Sequence, residues 1–91
     1  MKFIYPAIFS KDADGIFHGH FPDLEDCIST GETLDEAIEN ANEAACNWLS
    51  VELEEDGHLP PVSDPADLEL KEGEIIRNIA ANIRLFEGYD E

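Results

Sequence analysis

Four aspartates in the first third of the chain have the side chain that metal-dependent chemistry requires. They are Asp12, Asp14, Asp23 and Asp26. A two-metal nuclease needs several carboxylates that converge on ions about 4 Å apart. Asp12 and Asp14, however, lie beside Gly15 in a predicted hairpin turn, where aspartate is favoured because its side chain bonds the backbone. We therefore interpret both as turn residues, and we predict no catalytic group and no metal site.

Two histidines and two cysteines are the other reactive side chains. His18 and His20 have the spacing that puts both side chains on one face of a strand, where Cys27 or an acid would have to complete a zinc site. Two imidazoles alone do not make a site, so we interpret them as part of a semi-exposed sheet face. Cys27 and Cys46 are predicted to be small buried residues, because no basic cluster is placed to activate either thiol. We expect no cofactor.

A helix is the most clearly marked element. Thr33 and Glu36 form a T-x-x-E capping box, which predicts that the helix begins near Leu34. The apolar residues that follow have the spacing of a helix with one buried face. They are Leu34, Ala37, Ile38, Ala41, Ala44, Ala45, Trp48 and Leu49.

Three strands are predicted before this helix, at residues 1–11, 16–21 and 27–30. In the first strand Phe3, Tyr5, Ala7 and Phe9 alternate with Ile4, Pro6 and Ile8, so both faces are apolar. Because one helix covers only one face of a small sheet, the other face should meet a second surface. We expect Ile4, Ile8 and residues of the last strand to form a homodimer or higher oligomer, or to contact a partner.

The sequence of the last third of the chain predicts an irregular crossover followed by one more secondary-structure element. Proline and glycine among acids predict an irregular crossover at about 57–73. Residues 74–86 alternate as a half-buried strand does, although their isoleucines also fit a helical period. We predict the strand. The order β-β-β-α-β then makes an α+β fold, and 91 residues make one domain, residues 1–91, that buries about 60% of its unfolded surface.

Charge and hydropathy exclude several classes of protein. The net charge is −17, from 22 acidic and 5 basic residues, which would repel a nucleic acid backbone, so direct nucleic acid binding is not expected. Two readings of the acidity remain open: solvation at high salt, or steering of a basic protein partner. No apolar run approaches the roughly 20 residues that span a bilayer, and no leader precedes the first strand. We expect a cytoplasmic protein.

The order and spacing of these motifs resemble the HicB-like antitoxin family. The residues that carry the resemblance are Tyr5-Pro6-Ala7-Ile8-Phe9, Asp12-x-Asp14-Gly15, Phe21-Pro22-Asp23-Leu24, Cys27, Gly31-Glu32-Thr33, Glu36-Ala37-Ile38-Glu39-Asn40-Ala41, and Leu59-Pro60-Pro61 with Ser63. The resemblance implies a partial ribonuclease-H-like sheet with one main helix on one face. It also implies a function without catalysis, which is to bind and block a small basic RNA-cleaving toxin, HicA-like in kind.

Two departures from the family pattern bear on function. The family commonly has Pro-Gly where this chain has Glu25-Asp26, which adds two charges to the turn. Many members also continue into a DNA-binding segment, whereas this chain stops five residues after its last predicted strand. We therefore expect that it does not bind an operator by itself.

The acidic residues beside the helix are the predicted contact for the toxin. Asp23, Glu25 and Asp26 cluster in the loop before the third strand, where their carboxylates would stand in place of RNA phosphates. Two other functions stay open at this point. One is an orphan protein-binding or scaffold domain of the same family, and the other is a metal-dependent nuclease.

Overall fold

The computed structural model describes residues 2–55 and 59–83 of the chain. Its elements are β1 (Lys2–Lys11), β2 (Phe17–His20), β3 (Ile28–Gly31), α1 (Leu34–Glu55), a 3₁₀ turn (Pro65–Asp67) and β4 (Ile75–Asn82). The strands form one sheet in the order β3-β2-β1-β4, and each neighbouring pair is antiparallel. The predicted order β-β-β-α-β is confirmed.

Pairing with β1 decides the conformation of the last element. β4 is paired with β1 along its whole length, from Lys2 opposite Asn82 to Phe9 opposite Ile75. This ladder pairs the backbone N–H and C=O groups on the side of β1 that faces away from β2. Those groups would have no strand partner if residues 75–82 formed a helix. The strand prediction is therefore confirmed, and its predicted last residues, 84–86, lie outside the described residues.

The start of α1 follows the predicted cap. The Glu36 N–H donates to Thr33 Oγ1 at 3.1 Å, and the Glu36 carboxylate accepts from the Glu32 N–H at 2.6 Å, one residue before the usual partner in a capping box. Four turns of the helix present small or apolar side chains to the sheet: Ala37, Ala41, Ala45 and Leu49, all buried. Alanine at three of these positions lets the helix approach the strands closely.

Two glycines in the sheet make this close packing possible. A Cβ at Gly31 would lie 2.4 Å from the backbone nitrogen of Ala37, and a Cβ at Gly19 would lie 2.4 Å from the ring of Phe9. Both distances are far below van der Waals contact. The core therefore needs glycine at these positions, so that helix and aromatic ring can lie directly on the strands.

Side chains of α1 also reach both edges of the sheet. The Asn40 side-chain amide donates to Thr30 O at 2.7 Å on edge strand β3, and the Asn42 amide donates to Ala80 O on edge strand β4. Open edges are sites where another chain can add a strand. Bonds to the helix use part of that hydrogen-bonding capacity and hold the helix over the sheet.

Within the described ranges, no helix is both long and apolar enough to cross a membrane.

Candidate functional site

The loop between β2 and β3, residues 21–27, is closed by its own backbone. The Phe21 N–H donates to Cys27 O, the Leu24 N–H donates to Phe21 O, and the Cys27 N–H donates to Leu24 O, each at 3.2 Å. Leu24 is 1% exposed and packs in the core. The loop is therefore anchored from inside, and its charged residues are held in defined places.

Asp26 explains how this loop accommodates its departure from the family pattern. Its φ of 60° lies in the left-handed region, where glycine is unstrained and aspartate is better tolerated than most residues. The turn therefore keeps the backbone conformation that a glycine would favour. In addition, it presents two carboxylates, those of Glu25 and Asp26, both on exposed residues.

Asp23 has a different role from its two acidic neighbours. Its carboxylate accepts from the Ser63 N–H at 2.9 Å and from the Ser63 hydroxyl at 2.5 Å, which ties the crossover to the loop. The Tyr5 hydroxyl makes a second tie by donating to Pro60 O at 2.6 Å. Burial raises the pKa of Tyr5, and the negative charge of Asp23 raises it further. Asp23 thus positions the loop.

A groove of about 570 Å³ separates this loop from α1. Its apolar walls include Ala44, Trp48 and Val51 of the helix, and its rim carries the carboxylates of Glu25, Asp26 and Glu52. Among the described residues that line it, none is Lys or Arg. We call this surface the acidic groove. Its chemistry suits an apolar side chain flanked by lysine or arginine.

Trp48 joins the two sides of the acidic groove. Its indole N–H donates to Glu25 O at 2.9 Å, so the ring bridges helix and loop and is half-buried. The sequence interpretation placed Trp48 in core packing, which is confirmed in part, since it packs against the core cluster. Sequence reasoning did not find Val51 or Glu52. Their spacing of three and four residues from Trp48 was the available signal, because residues so spaced share one helix face.

Asp12 and Asp14 lie in the predicted turn. One oxygen of Asp12 accepts from the N–H groups of Asp14 and Ile16 at 2.9 and 3.0 Å, and the other lies 2.7 Å from His18 Nε2. Two hydrogen bonds hold the pKa of Asp12 below its usual range. The bond to His18 has the larger effect, and the bond from the Ile16 N–H has the next largest. The interpretation of Asp12 as a turn residue is confirmed, because its carboxylate is used to close the hairpin.

The other reactive side chains are scattered over the fold. His18 and His20 are exposed, and Cys27 is a buried free thiol whose pKa is raised by burial. Cys46 is also a free thiol and is half-buried, with Sγ 3.6 Å from Asn82 O. In residues 2–55 and 59–83, no group of three or more His, Cys, Asp or Glu is placed to hold a metal ion.

Ile4 and Ile8 lie on the face of the sheet that points away from the helix. We call this the outer face. The register places Ile4 opposite Ala80, and Ile8 between Ile76 and His20. Ile4 is 48% exposed, whereas Ile8 is 6% exposed. Only Ile4 of the two is therefore open to a partner, because Ile8 is buried within the chain.

Comparison with known families decides the class of protein. The family model described as HicB-like antitoxin of bacterial toxin-antitoxin systems matches residues 5–83. The chain belongs to this family. The resemblance predicted from the order of its motifs is confirmed.

Individual relatives agree with this assignment. An uncharacterised 14.9 kDa protein of Haemophilus phage HP1 is 37% identical over 71 residues, which cover 78% of this chain and 52% of the relative. A chain in a toxin-antitoxin complex from Streptococcus pneumoniae is 27% identical with a TM-score of 0.81, covering 90% of this chain and 70% of that one. A chain in a complex of HicA3 and HicB3 is 33% identical with a TM-score of 0.64, covering 90% and 99%.

These matches also bear on fold and length. The α+β sheet with one main helix, predicted from the sequence, is the fold of the antitoxin structures. The chain spans about half the length of the curated phage relative it matches.

Proposed function

We propose that this chain neutralises a small basic RNA-cleaving toxin of the HicA kind by covering the surface with which the toxin binds RNA. Family membership supports this proposal, as do the HicB-like relatives found in toxin-antitoxin complexes. The observation that carries it is the acidic groove, in which an apolar slot is rimmed by three carboxylates. A toxin surface that binds RNA carries cations, and the groove offers them the same charge as phosphate does.

Electrostatics acts at two ranges in this proposal. The net charge of −17 draws a basic partner from a distance and raises its rate of association. At short range, Glu25, Asp26 and Glu52 pair with lysine or arginine, while Trp48 and Val51 take an apolar anchor. A buried apolar anchor within a polar rim is the usual anatomy of a tight interface.

The three predicted contact residues divide this work. Glu25 and Asp26 contact the toxin through exposed carboxylates. Asp23 supports that contact through its bonds to Ser63, which keep the loop in place. We infer that residues 1–91 act as one domain, without catalysis and without a cofactor, in the cytoplasm, where the toxin meets its RNA.

Inhibition of RNA cleavage tests the proposal. A HicA-like toxin from the same host is titrated with this chain, and cleavage should stop at one antitoxin per toxin. Reversing two rim charges, Glu25→Lys with Glu52→Lys, should weaken binding about tenfold or more, as expected for loss of close ion pairs. The control is Glu69→Lys with Glu72→Lys, exposed crossover residues that change the net charge equally.

Three results would overturn this account. Equal weakening by both charge-reversed pairs would mean that only net charge matters, and the groove would lose its role. Absence of a toxin complex would favour the orphan scaffold function. RNA cleavage by the chain alone with Mg²⁺ or Mn²⁺, lost on Asp14→Asn, would establish a nuclease.

A further inference from the structure

Helix α1 has a second apolar stripe beside the one that packs on the sheet. It consists of Ala44, Trp48 and Val51, whose spacings of four and three residues put their side chains on one helix face. Ala44 and Trp48 pack in part against the core, whereas Val51 is 53% exposed. The stripe therefore ends in an apolar side chain that the described part of the chain leaves uncovered.

The opposite side of the acidic groove also carries an exposed apolar residue. Ile28, at the start of β3, lines the groove together with Val51. At 66% it has the highest exposure of the large apolar side chains in the described ranges. The groove is thus apolar on both sides, and a partner that covers it gains from the hydrophobic effect in proportion to the apolar area removed from water.

We propose that the element of the partner that enters the acidic groove is a basic amphipathic helix. Two helices pack together when side chains three and four residues apart on one helix form a ridge that fits between the ridges of the other. The stripe of Ala44, Trp48 and Val51 is such a ridge, and it extends over about two turns. The bond from the Trp48 indole to Glu25 O keeps the ridge and the loop in fixed positions.

The charges of the rim define the rest of the occupant. Glu25 and Asp26 lie on the loop side of the groove, and Glu52 lies on the helix side. The entering helix should therefore carry an apolar stripe with lysine or arginine on both flanks, as amphipathic helices that bind apolar grooves do. This inference rests on the proposed function, because it names the kind of element that the toxin presents.

Other occupants fit the groove less well. An added strand would need the backbone groups at the edge of β3, where Thr30 O already accepts from the Asn40 side chain at 2.7 Å. A second copy could not offer its own helix, since α1 has seven acidic residues and neither Lys nor Arg. The carboxylates of the rim would repel a nucleic acid.

Fluorescence of Trp48, the one tryptophan of the chain, tests the proposal on the full chain. The probe is a synthetic peptide of about 15 residues, a length at which an isolated helix becomes stable. Its leucines are three and four residues apart, and lysines flank them. A control peptide has the same composition in strict alternation. The helical peptide should shift the emission to shorter wavelength with a dissociation constant of about 1 to 100 µM.

Variants at the two sides of the groove locate the binding. Val51→Gln keeps helix propensity and should weaken peptide binding about tenfold, because one apolar contact is lost. Ile28→Thr keeps strand propensity and should weaken it on the opposite side. The matched control is Val62→Gln, at a 56% exposed residue of the crossover that does not line the groove, and it should leave binding unchanged.

Four results would overturn the proposal. They are no shift with the helical peptide, equal binding of the alternating peptide, equal effects of Val51→Gln and Val62→Gln, and an emission shift caused by protein concentration alone, which would identify a second copy as the occupant.

Competition separates this inference from the proposed function. The helical peptide should displace the toxin and restore RNA cleavage. A toxin that is inhibited by the chain but not displaced by the peptide would contradict the helical occupant and leave the antitoxin function standing. A peptide that binds while the toxin is never inhibited would contradict the antitoxin function alone.

Discussion

The acidic groove and the outer face differ in charge although both lie on one small sheet-and-helix unit. The groove combines the apolar Trp48 and Val51 with three carboxylates, whereas the outer face combines Ile4 and Ile28 with strands that contain no acid. Salt should therefore weaken binding at the groove more than at the outer face. The difference teaches that a protein of extreme charge can keep one face of its sheet free of carboxylates by placing its acids outside the strands.

Gly31→Ala should have the largest effect, because it would disturb both surfaces at once. The new Cβ would meet backbone atoms of Ala37, which cannot move without lifting α1 from the sheet. We expect a loss of about 3 kcal/mol in unfolding free energy, the upper end of the usual cost of overpacking, because the atoms that the Cβ would meet are backbone atoms. Thermal or urea unfolding measures it.

Thr30→Ala is the control for Gly31→Ala, because Thr30 is the exposed neighbour on the same strand. It should change stability far less. A Gly31→Ala variant as stable as wild type would show that helix and sheet are not packed as closely as described.

Asp23→Ala should affect the acidic groove but not the outer face. It removes the acceptor for both Ser63 bonds, so we expect a loss of about 2 kcal/mol in stability and a weaker toxin complex. Calorimetry measures both effects, the first as a lower unfolding temperature and the second as a larger dissociation constant of the toxin complex.

Ser63→Ala provides the matched test of the same contact. The double variant should cost less than the sum of the two single changes, because both remove one interaction. Full additivity would mean that Asp23 and Ser63 stabilise the protein independently, and the proposed positioning role of Asp23 would fail.

The smallest effect should come from Asp12, whose carboxylate closes the hairpin between β1 and β2. Its pKa is lower in the folded protein than in the unfolded chain, so its stabilising effect is present above the unfolded value of about 4 and is lost as pH falls through the folded value. The stability difference between wild type and Asp12→Asn should therefore vanish at low pH. A difference that persists at pH values below the folded pKa, where the carboxyl is protonated in both the folded and the unfolded chain, would contradict this.

Sequence reasoning recovered the elements whose signals are local. The Thr33 cap, the helical period from Leu34 onward and the turn at Asp14-Gly15 each depend on residues within a few positions of one another. The final strand was less certain, because residues 74–86 fit either period. Its pairing with β1, whose partner residues lie 66 (Phe9 and Ile75) to 80 (Lys2 and Asn82) positions away in the chain, decided the matter.

The candidate site was predicted only in part for the same reason. Glu25 and Asp26 were predicted from their clustering in sequence and line the acidic groove, while the contact of Asp23 depends on Ser63, forty residues further on. Val51 and Glu52 became part of a site only because Trp48 binds the loop at Glu25 O. A contact between a helix side chain and a distant loop leaves no signal in the sequence, apart from the spacing that puts Trp48, Val51 and Glu52 on one face of the helix.

The sequence by itself determined the acidity, the capped helix, the hairpin turn and the resemblance to the family. Its local signals suffice for these, because capping, periodicity and turn chemistry act over a few residues. The tertiary structure alone decided which acids are exposed, which one anchors the crossover, and that acid-free strands form one continuous face. These properties arise when segments far apart in the chain pack together, and strand pairing and burial are energies of the whole fold.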